Sequence, residues 1–315
     1  MDFFTHLVVG ALTYILLLKE VTFEYIVLAM FFAILPDLDI FIMPLKKIFK
    51  SNYLEHRGGS HSYITGVIIS FIASVIISIL TLRPFIFTWF IGIFFYGVHV
   101  SMDLLTTTKI PYLYPLSKKE LSFYVEKAGS QFTMLNSVLF IFILIWLYNA
   151  SVTFPTFMAV INFYTFFYII YYLIRVASKL LVTSNLNKNQ KYFPGVLPFY
   201  FIIYEYEIVE NEISLSITKK SHFSKTAIIY KNQSVLNSEE MTFFQKGVEL
   251  CSENYYFAKW TLLPIFIRNG GKFAIRFFFL EPMMHRRAMN IQFEFDILTQ
   301  QLIRIKRSYG RIQTI

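Results

Sequence analysis

The chain has 315 residues, 56% of them apolar, 19% aromatic and only 16% charged, with a mean hydropathy of +0.52. Soluble domains carry about 25% charged residues, so the composition excludes a disordered, collagen-like or coiled-coil chain and argues against an ordinary soluble enzyme. The formal charge is +9, and the single cysteine, Cys251, excludes an intrachain disulfide framework or a CxxC metal knuckle.

Six runs are apolar with few charges: Phe3–Leu18, Val21–Leu35, Tyr63–Leu82, Phe85–Leu104, Phe132–Ala150 and Val152–Ile174. The last four, 19 to 23 residues long, suffice to cross roughly 30 Å of hydrocarbon at about 1.5 Å per residue. The first two have 16 and 15 residues and are separated by Lys19-Glu20, which suits a short helical hairpin or a buried re-entrant pair. Asp2 stands where a signal peptide would carry basic residues, and no small-x-small site follows, so the first run is expected to be retained.

The pattern changes after Arg175. Residues 176–315 carry a net charge of +7 and residues 1–175 a net of +2. Ser184–Lys191 (SNLNKNQK) is polar and reads as a linker. Beyond it the apolar residues alternate as in half-buried strands: Ile208–Thr218 around a Glu210-Asn211-Glu212 turn, then Phe273–Leu280, Ile291–Ile297 and Leu302–Lys306. One helix is expected over Ser238–Cys251, with Asn237 and Glu240 at capping-box spacing. The expected architecture is an α-helical integral membrane domain (1–183) of about six helices, the first two short. A linker (184–194) then leads to a mainly antiparallel β soluble domain (195–315).

Ionisable residues in the membrane half are few, and their placement is informative. His6 opens the first run, Asp37 and Asp39 follow the second, His56 and His61 precede the third, and His99 and Asp103 close the fourth. If the runs alternate in direction, all seven meet at one face of the membrane. His99 and Asp103 at i, i+4 share a helix face, Pro36 turns the Asp37-Leu38-Asp39 carboxylates into a loop, and the glycine-rich turn His56-Arg57-Gly58-Gly59-Ser60-His61-Ser62 can bring two imidazoles together. This donor set suits a divalent metal, Zn²⁺ first and Mn²⁺ or Fe²⁺ next, as one ion with an outer shell or two ions sharing a water. Singly, each residue also has an ordinary role, as a helix cap, a turn or a buried hydrogen-bonded pair; the joint placement favours a shared site. Lys46, Lys47, Lys50 and Arg57 also read as simple loop charges, and His222 and His285 as surface residues of the β domain.

The succession THLVVG, LPDLDI, HRGGSHS and HVSMDLLTT resembles the YdjM-like family of membrane-bound metal-dependent hydrolases over roughly residues 1–145. The resemblance implies His6, Asp37, Asp39, His56, His61, His99 and Asp103 as the polar set, with Arg57 and Ser62 as neighbours. A looser likeness links the order of these motifs to zinc-dependent phospholipases C and single-strand nucleases. The family's later Thr, Pro-Phe-like and acidic elements correspond to Thr106–Thr108, Pro115-Leu116 and Glu126, although its Val-Asp-Pro is Val125-Glu126-Lys127 here.

Sidedness and chemistry follow from the same residues. The two connections at the site end carry eight basic residues (Lys46, Lys47, Lys50, Arg57, Lys109, Lys118, Lys119, Lys127) and the opposite ends only Lys19 and Arg83. By the positive-inside rule the N-terminus, the site and the C-terminal domain of this multi-pass cell-membrane protein are expected in the cytoplasm. The expected activity is hydrolysis by a metal-activated water, with Asp39 or Asp37 orienting it or taking its proton and Arg57 neutralising charge on a phosphoryl oxygen. Membrane lipid is the expected surrounding, and an anionic lipid or phosphorylated small molecule the expected substrate. No HExxH motif supports a zinc protease, and no RNP1-like, helix-turn-helix or zinc-finger pattern supports nucleic-acid binding. The alternative is a non-catalytic metal-binding membrane protein whose β domain recruits a protein partner of unknown identity.

Overall fold

The computed structural model describes residues 1–18, 22–49, 51–223, 226–254, 257–284 and 287–312. Lys19, Glu20, Val21, Lys50 and His285 lie outside the described residues, as do the side chains of Lys46 and Lys47. The chain divides into two compact units, Met1–Val176 and Ala177–Ile315.

The first unit is helical: α1 (Phe3–Leu18), α2 (Phe23–Ile34), the short α3 (Lys46–Phe49), α4 (Tyr63–Thr81), α5 (Phe85–Leu104), α6 (Gln131–Asn149) and α7 (Phe154–Thr183), which runs on past the unit's end. Among the described residues, Phe23–Leu45, Tyr63–Thr81, Phe85–Leu104 and Phe154–Thr183 are long and apolar enough to cross a membrane, and Phe3–Leu17 and Gln131–Leu147 are shorter apolar helices. The first two helices are short, as expected, with 16 and 12 residues, and the helix over Gln131–Asn149 has 19. One expectation is corrected at Pro36. Instead of opening into a loop, the chain tightens into a 3₁₀ helix over Leu35–Phe41 with the proline in its first turn, where its missing N–H forfeits no bond.

Small residues set the helix spacing. A Cβ on Gly10 would lie 2.8 Å from the Ala33 Cβ, so α1 and α2 meet nearly backbone to backbone. A Cβ on Gly92 would lie 2.9 Å from both the Phe32 ring and the Ser70 Cβ, which draws α2, α4 and α5 together. Close approach through small residues is the usual route to tight packing where lipid offers no hydrophobic drive. A core of Val8, Leu12, Phe32, Ile91, Phe95, Phe140 and Ile161 fills the centre. The Thr5, Ser137 and Tyr168 hydroxyls form a buried chain across α1, α6 and α7, with steps of 3.0 and 2.7 Å. α4 begins on Ser62, whose side chain accepts from the Ile64 N–H, and ends on Leu82 in the left-handed region.

The connection between α5 and α6 is pinned back onto α5. The N–H groups of Phe123, Val125 and Glu126 donate to the Leu104 and Leu105 carbonyls at 2.7 to 2.9 Å. This places Glu126 in the interior, paired with the fully buried Arg175 of α7 at 3.1 Å and hydrogen-bonded by the Tyr171 hydroxyl. Burial pushes the Glu126 carboxyl upward against the pull of Arg175, and burial lowers the adjacent Lys127 amine to about 8. Lys127 and Arg57 are buried, so neither is the free loop charge that the reading of sidedness counted.

The second unit holds two four-stranded antiparallel sheets, each a simple meander. The first runs β1 (Gln190–Pro194), β2 (Tyr200–Val209), β3 (Glu212–Ser221) and β4 (Ala227–Val235). The second runs β5 (Leu262–Asn269), β6 (Lys272–Phe279), β7 (Arg287–Asp296) and β8 (Leu302–Arg311). Residues 190–194 thus correct the linker reading: they form an edge strand, and the polarity of SNLNKNQK marks only the approach to it. The β2–β3 turn falls on Glu210-Asn211, with Glu210 at φ 53°. Between the sheets in the chain comes α8 (Ser238–Ser252), whose Asn237 and Glu240 form the capping box in both directions. It lays Phe243 and Phe244 on Phe273, Phe295 and Phe277 of the second sheet.

Removing one member of a buried ion pair costs about 3–5 kcal/mol, while replacing both by apolar groups can be nearly neutral. Arg175→Met alone is therefore expected to lower the thermal midpoint in detergent sharply, and Glu126→Gln with Arg175→Met to recover most of the loss. Lys127 gives a pH test. Its folded pKa lies below the ordinary 10.5, so the unfolded chain binds more protons between about pH 8 and 10.5 and stability rises with pH across that window. Lys127→Met, followed by the same melting assay, should lack this rise.

Candidate metal centre

Five separate pieces of chain deliver side chains to one end of the helical unit. Asp2 accepts the Thr5 N–H at 2.9 Å and so starts α1, with His6 in its first turn. The 3₁₀ turn after α2 presents Asp37 and Asp39, the loop before α4 presents His56, Arg57 and His61, and the last turn of α5 presents His99 and Asp103. The α5–α6 connection closes beside them, its Thr106 hydroxyl donating to the Asp103 carbonyl at 2.8 Å.

Asp37, His61, His99 and Asp103 form the inner group. Each offers one ligand atom, all within 4.8 Å of one another, and the set could hold a metal ion. His61 Nε2 is 3.4 Å from Asp37 Oδ1 and 3.3 Å from Asp103 Oδ2; His99 Nε2 is 3.8 and 3.9 Å from the same atoms. These separations exceed good hydrogen bonds. They approach the separation of two ligand atoms around one ion, about 3.3 Å for tetrahedral bonds of about 2.0–2.1 Å.

The hydrogen bonds of each imidazole decide which nitrogen faces the group. His99 Nδ1 lies 2.7 Å from the Ala33 carbonyl oxygen. A carbonyl only accepts, so Nδ1 carries the proton and Nε2 turns a lone pair inward. Ser60 Oγ donates to Asp39 Oδ2 at 2.5 Å and receives His61 Nδ1 at 3.1 Å, which again leaves the His61 Nε2 lone pair facing the group. Such second contacts fix the tautomer of metal-binding histidines. His61 Nε2, His99 Nε2 and Asp103 Oδ2 have no hydrogen-bond partner although they are buried. Orphaned buried polar atoms are costly, and a cation among them supplies the missing partner. The donors therefore fit a divalent metal.

His6, Asp39 and His56 stand around that group. The His6 ring stacks on His99 with centroids 3.7 Å apart, and its Nε2 is 3.4 Å from Asp103 Oδ1. The Met1 amine also rests against Asp103 Oδ1. Asp39 is turned toward the loop: its carboxylate accepts His56 Nδ1 at 2.7 Å, the Arg57 N–H at 3.0 Å and Ser60 Oγ at 2.5 Å. His56 is 34% exposed at the mouth, against 0% for His61, His99 and Asp103. Arg57 sends Nε to within 3.4 Å of Asp103 Oδ2 and donates to the Met1 carbonyl at 2.7 Å. His222 is exposed, as expected, with Nε2 2.8 Å from the Ser178 hydroxyl.

Backbone conformation holds the loop. Arg57 lies at φ 58°, an uncommon conformation for a non-glycine residue and a frequent mark of functional sites. A Cβ on Gly58 would lie 2.5 Å from the Tyr53 carbonyl oxygen and 2.6 Å from that of Glu55, so only glycine fits there. The Ser60, Ala33-carbonyl and Tyr96 contacts escape sequence reasoning; of these only Ser60 carried a signal, its place inside the HRGGSHS block. Tyr96 donates to the Ser60 carbonyl and ties the loop to α5.

Fold and site together define a membrane protein with a buried Asp/His group able to hold a metal ion. The family model of the YdjM inner membrane protein matches residues 1–180, more than half of the chain, and the chain belongs to that family. The match takes in α6 and nearly all of α7, and the β unit after residue 180 lies outside it. No curated protein and no solved structure matches the chain.

Gly58→Ala is expected to displace the His56–His61 loop and to lower metal content in purified protein several-fold. Gly97→Ala, in α5 where a Cβ would meet only the Tyr63 ring at 3.9 Å, should leave metal content near wild type.

Proposed function

We propose that this protein is a metal-dependent hydrolase acting on a phosphoester at the membrane surface. The observation that carries the reading is the division of labour among the histidines: two imidazole lone pairs and two carboxylates converge inside, while the Asp39–His56 pair stands at the mouth. Zinc is the favoured ion, with manganese or iron as the other candidates, and Asp37, His61, His99 and Asp103 are its proposed ligands with His6 adjoining. The ion would supply Lewis-acid polarisation and a water acidic enough to react near neutral pH.

The remaining chemistry belongs to the chain. Asp39 holds the His56 Nδ1 proton, so His56 Nε2 is the atom able to take a proton from water and return it to the leaving alcohol. Asp39 is a positioning residue for that imidazole and for the loop. Asp37, partly exposed, is the carboxylate able to orient the water. Arg57 is placed to neutralise charge developing on a phosphoryl oxygen through its planar fork. In the reaction the water oxygen bonds to phosphorus, the phosphorus–alkoxide bond breaks, and the alkoxide takes the proton. An anionic substrate also suits the lysines of the site-end connections, and by the positive-inside rule we place that end, the N-terminus and the β unit in the cytoplasm.

The full burial of His61, His99 and Asp103 also supports a second reading, a closed site in a non-catalytic metal-binding protein whose β unit recruits a partner. One set of variants separates the two. His99→Ala should abolish bound metal, measured by elemental analysis, together with any phosphomonoester or phosphodiester turnover. His56→Ala should keep the metal and lose about 10²- to 10⁴-fold in turnover. Unchanged metal in His99→Ala overturns the ligand assignment, and metal-loaded wild type inactive on both ester classes overturns the hydrolase reading.

A further inference from the structure

We propose that the substrate is an amphiphile, a phosphoester head carrying an apolar chain, which enters the site from the bilayer side. The inference rests on the hydrolase reading above and specifies its substrate class. Two independent pieces of chain point to it.

The first is the segment that supplies the carboxylates. Asp39 is buried, yet the next residues, Ile40, Phe41 and Ile42, are uncovered, Phe41 by 76%. Ile48 and Phe49 continue the exposed apolar surface through α3. The stretch Phe23–Leu45 is apolar enough to cross a membrane, so the carboxylates lie within an apolar span, with further hydrocarbon-facing residues after them. From Asp37 to Phe41 a 3₁₀ helix advances about 8 Å, the scale of a phosphate group and the start of an attached chain.

The second is the tip of the α5–α6 connection. Leu113 and Leu116 are exposed there, Leu116 by 84%, with Lys118 and Lys119 exposed immediately after. This tip is docked on the histidine loop. The Tyr114 ring stacks on Tyr53 with centroids 4.2 Å apart, and the Tyr114 carbonyl accepts Ser62 Oγ at 2.6 Å. A Cβ on Gly59 would lie 3.0 Å from that same ring. Tyrosines at the level of the headgroups and lysines just beyond exposed leucines are the pattern of a loop seated in the membrane interface. A water-soluble phosphate ester would gain nothing from either apolar surface. A lipid-like ester would present its phosphate to Arg57 and the lysines and lay its chain along Phe41 and Leu116.

The test compares two chromogenic diesters with one leaving group, methyl 4-nitrophenyl phosphate and dodecyl 4-nitrophenyl phosphate. The full-length protein is used, zinc-loaded and in zwitterionic detergent. Hydrolysis joins the water oxygen to phosphorus and expels 4-nitrophenolate in both, so chain length is the only variable. The expected kcat/KM is at least about tenfold higher for the dodecyl ester. Leu116→Asp and Phe41→Asp should each lower that preference severalfold with wild-type metal content, which marks them as folded. Leu298→Asp, in an exposed turn of the β unit, should leave it intact as a control for partition into detergent. Equal rates for the two esters overturn the proposal while the hydrolase reading stands. A preference that neither Leu116→Asp nor Phe41→Asp reduces also overturns it. Turnover of neither diester overturns the proposal, and the hydrolase reading falls with it only if phosphomonoesters are inert as well.

Discussion

The structure turns on the burial of ionisable side chains at the end of an apolar bundle. Asp103, His61 and His99 are wholly shielded from solvent, in surroundings where an unpaired charge or orphaned lone pair costs several kcal/mol. Such groups persist only when a counter-charge holds them together. The rest of the helical unit serves their convergence. Gly10 against Ala33 brings His6 beside the end of α2, and the Ala33 carbonyl then orients His99 on α5. Loosening the α1–α2 contact would therefore move a tautomer-setting acceptor as well as a core residue.

The polar residues form a hierarchy rather than a ring of equals. Asp37, His61, His99 and Asp103 face one another. Asp39 faces the loop, where its two oxygens receive His56, the Arg57 backbone and Ser60. A carboxylate so engaged is a poor proton acceptor but a good clamp, because each bond it makes restrains a different residue of the loop. Strain at Arg57 and the obligatory glycine at 58 are held by the same clamp: the Arg57 N–H is one of the groups Asp39 accepts. One side chain thus restrains both the loop conformation and, through Ser60, the inner imidazole.

How much of this could be read from the chain alone depended on how scarce the informative residues were. In an apolar stretch each charge is expensive, so His6, Asp37, Asp39, His56, His61, His99 and Asp103 stood out, and helix alternation was enough to gather them. The inner and outer roles were not legible, since Asp37 and Asp39 differ only in which way a 3₁₀ turn points them. Lys127 looked like an ordinary loop charge, and the burial of Arg57 was not legible either, because burial of a loop residue depends on distant chain. The Glu126–Arg175 pair links positions 49 residues apart, and nothing local marks either as its partner. β1 was hidden for the opposite reason: its polar approach resembled a linker, and an edge strand of five residues carries too little alternation to declare itself.

The two units answer to different physics. In the β unit the core is made by aromatic faces, with Phe243 stacked on Phe295 at 4.9 Å, and buried charge is tolerated only where hydrogen bonds saturate it, as at Glu281, which accepts both the N–H and the hydroxyl of Thr261. In the helical unit the arrangement is reversed. Backbone groups satisfy themselves within helices, hydroxyls such as those of Thr5, Ser137 and Tyr168 pair across them, while those of Ser70, Ser74 and Ser78 along α4 go unpartnered. The unpartnered imidazole and carboxylate atoms, by contrast, gather at one end, in and around a group able to hold a metal ion. Beside it the same segment of chain turns from carboxylates to bare phenylalanine and isoleucine within one helical turn, so whatever enters meets charge and hydrocarbon together.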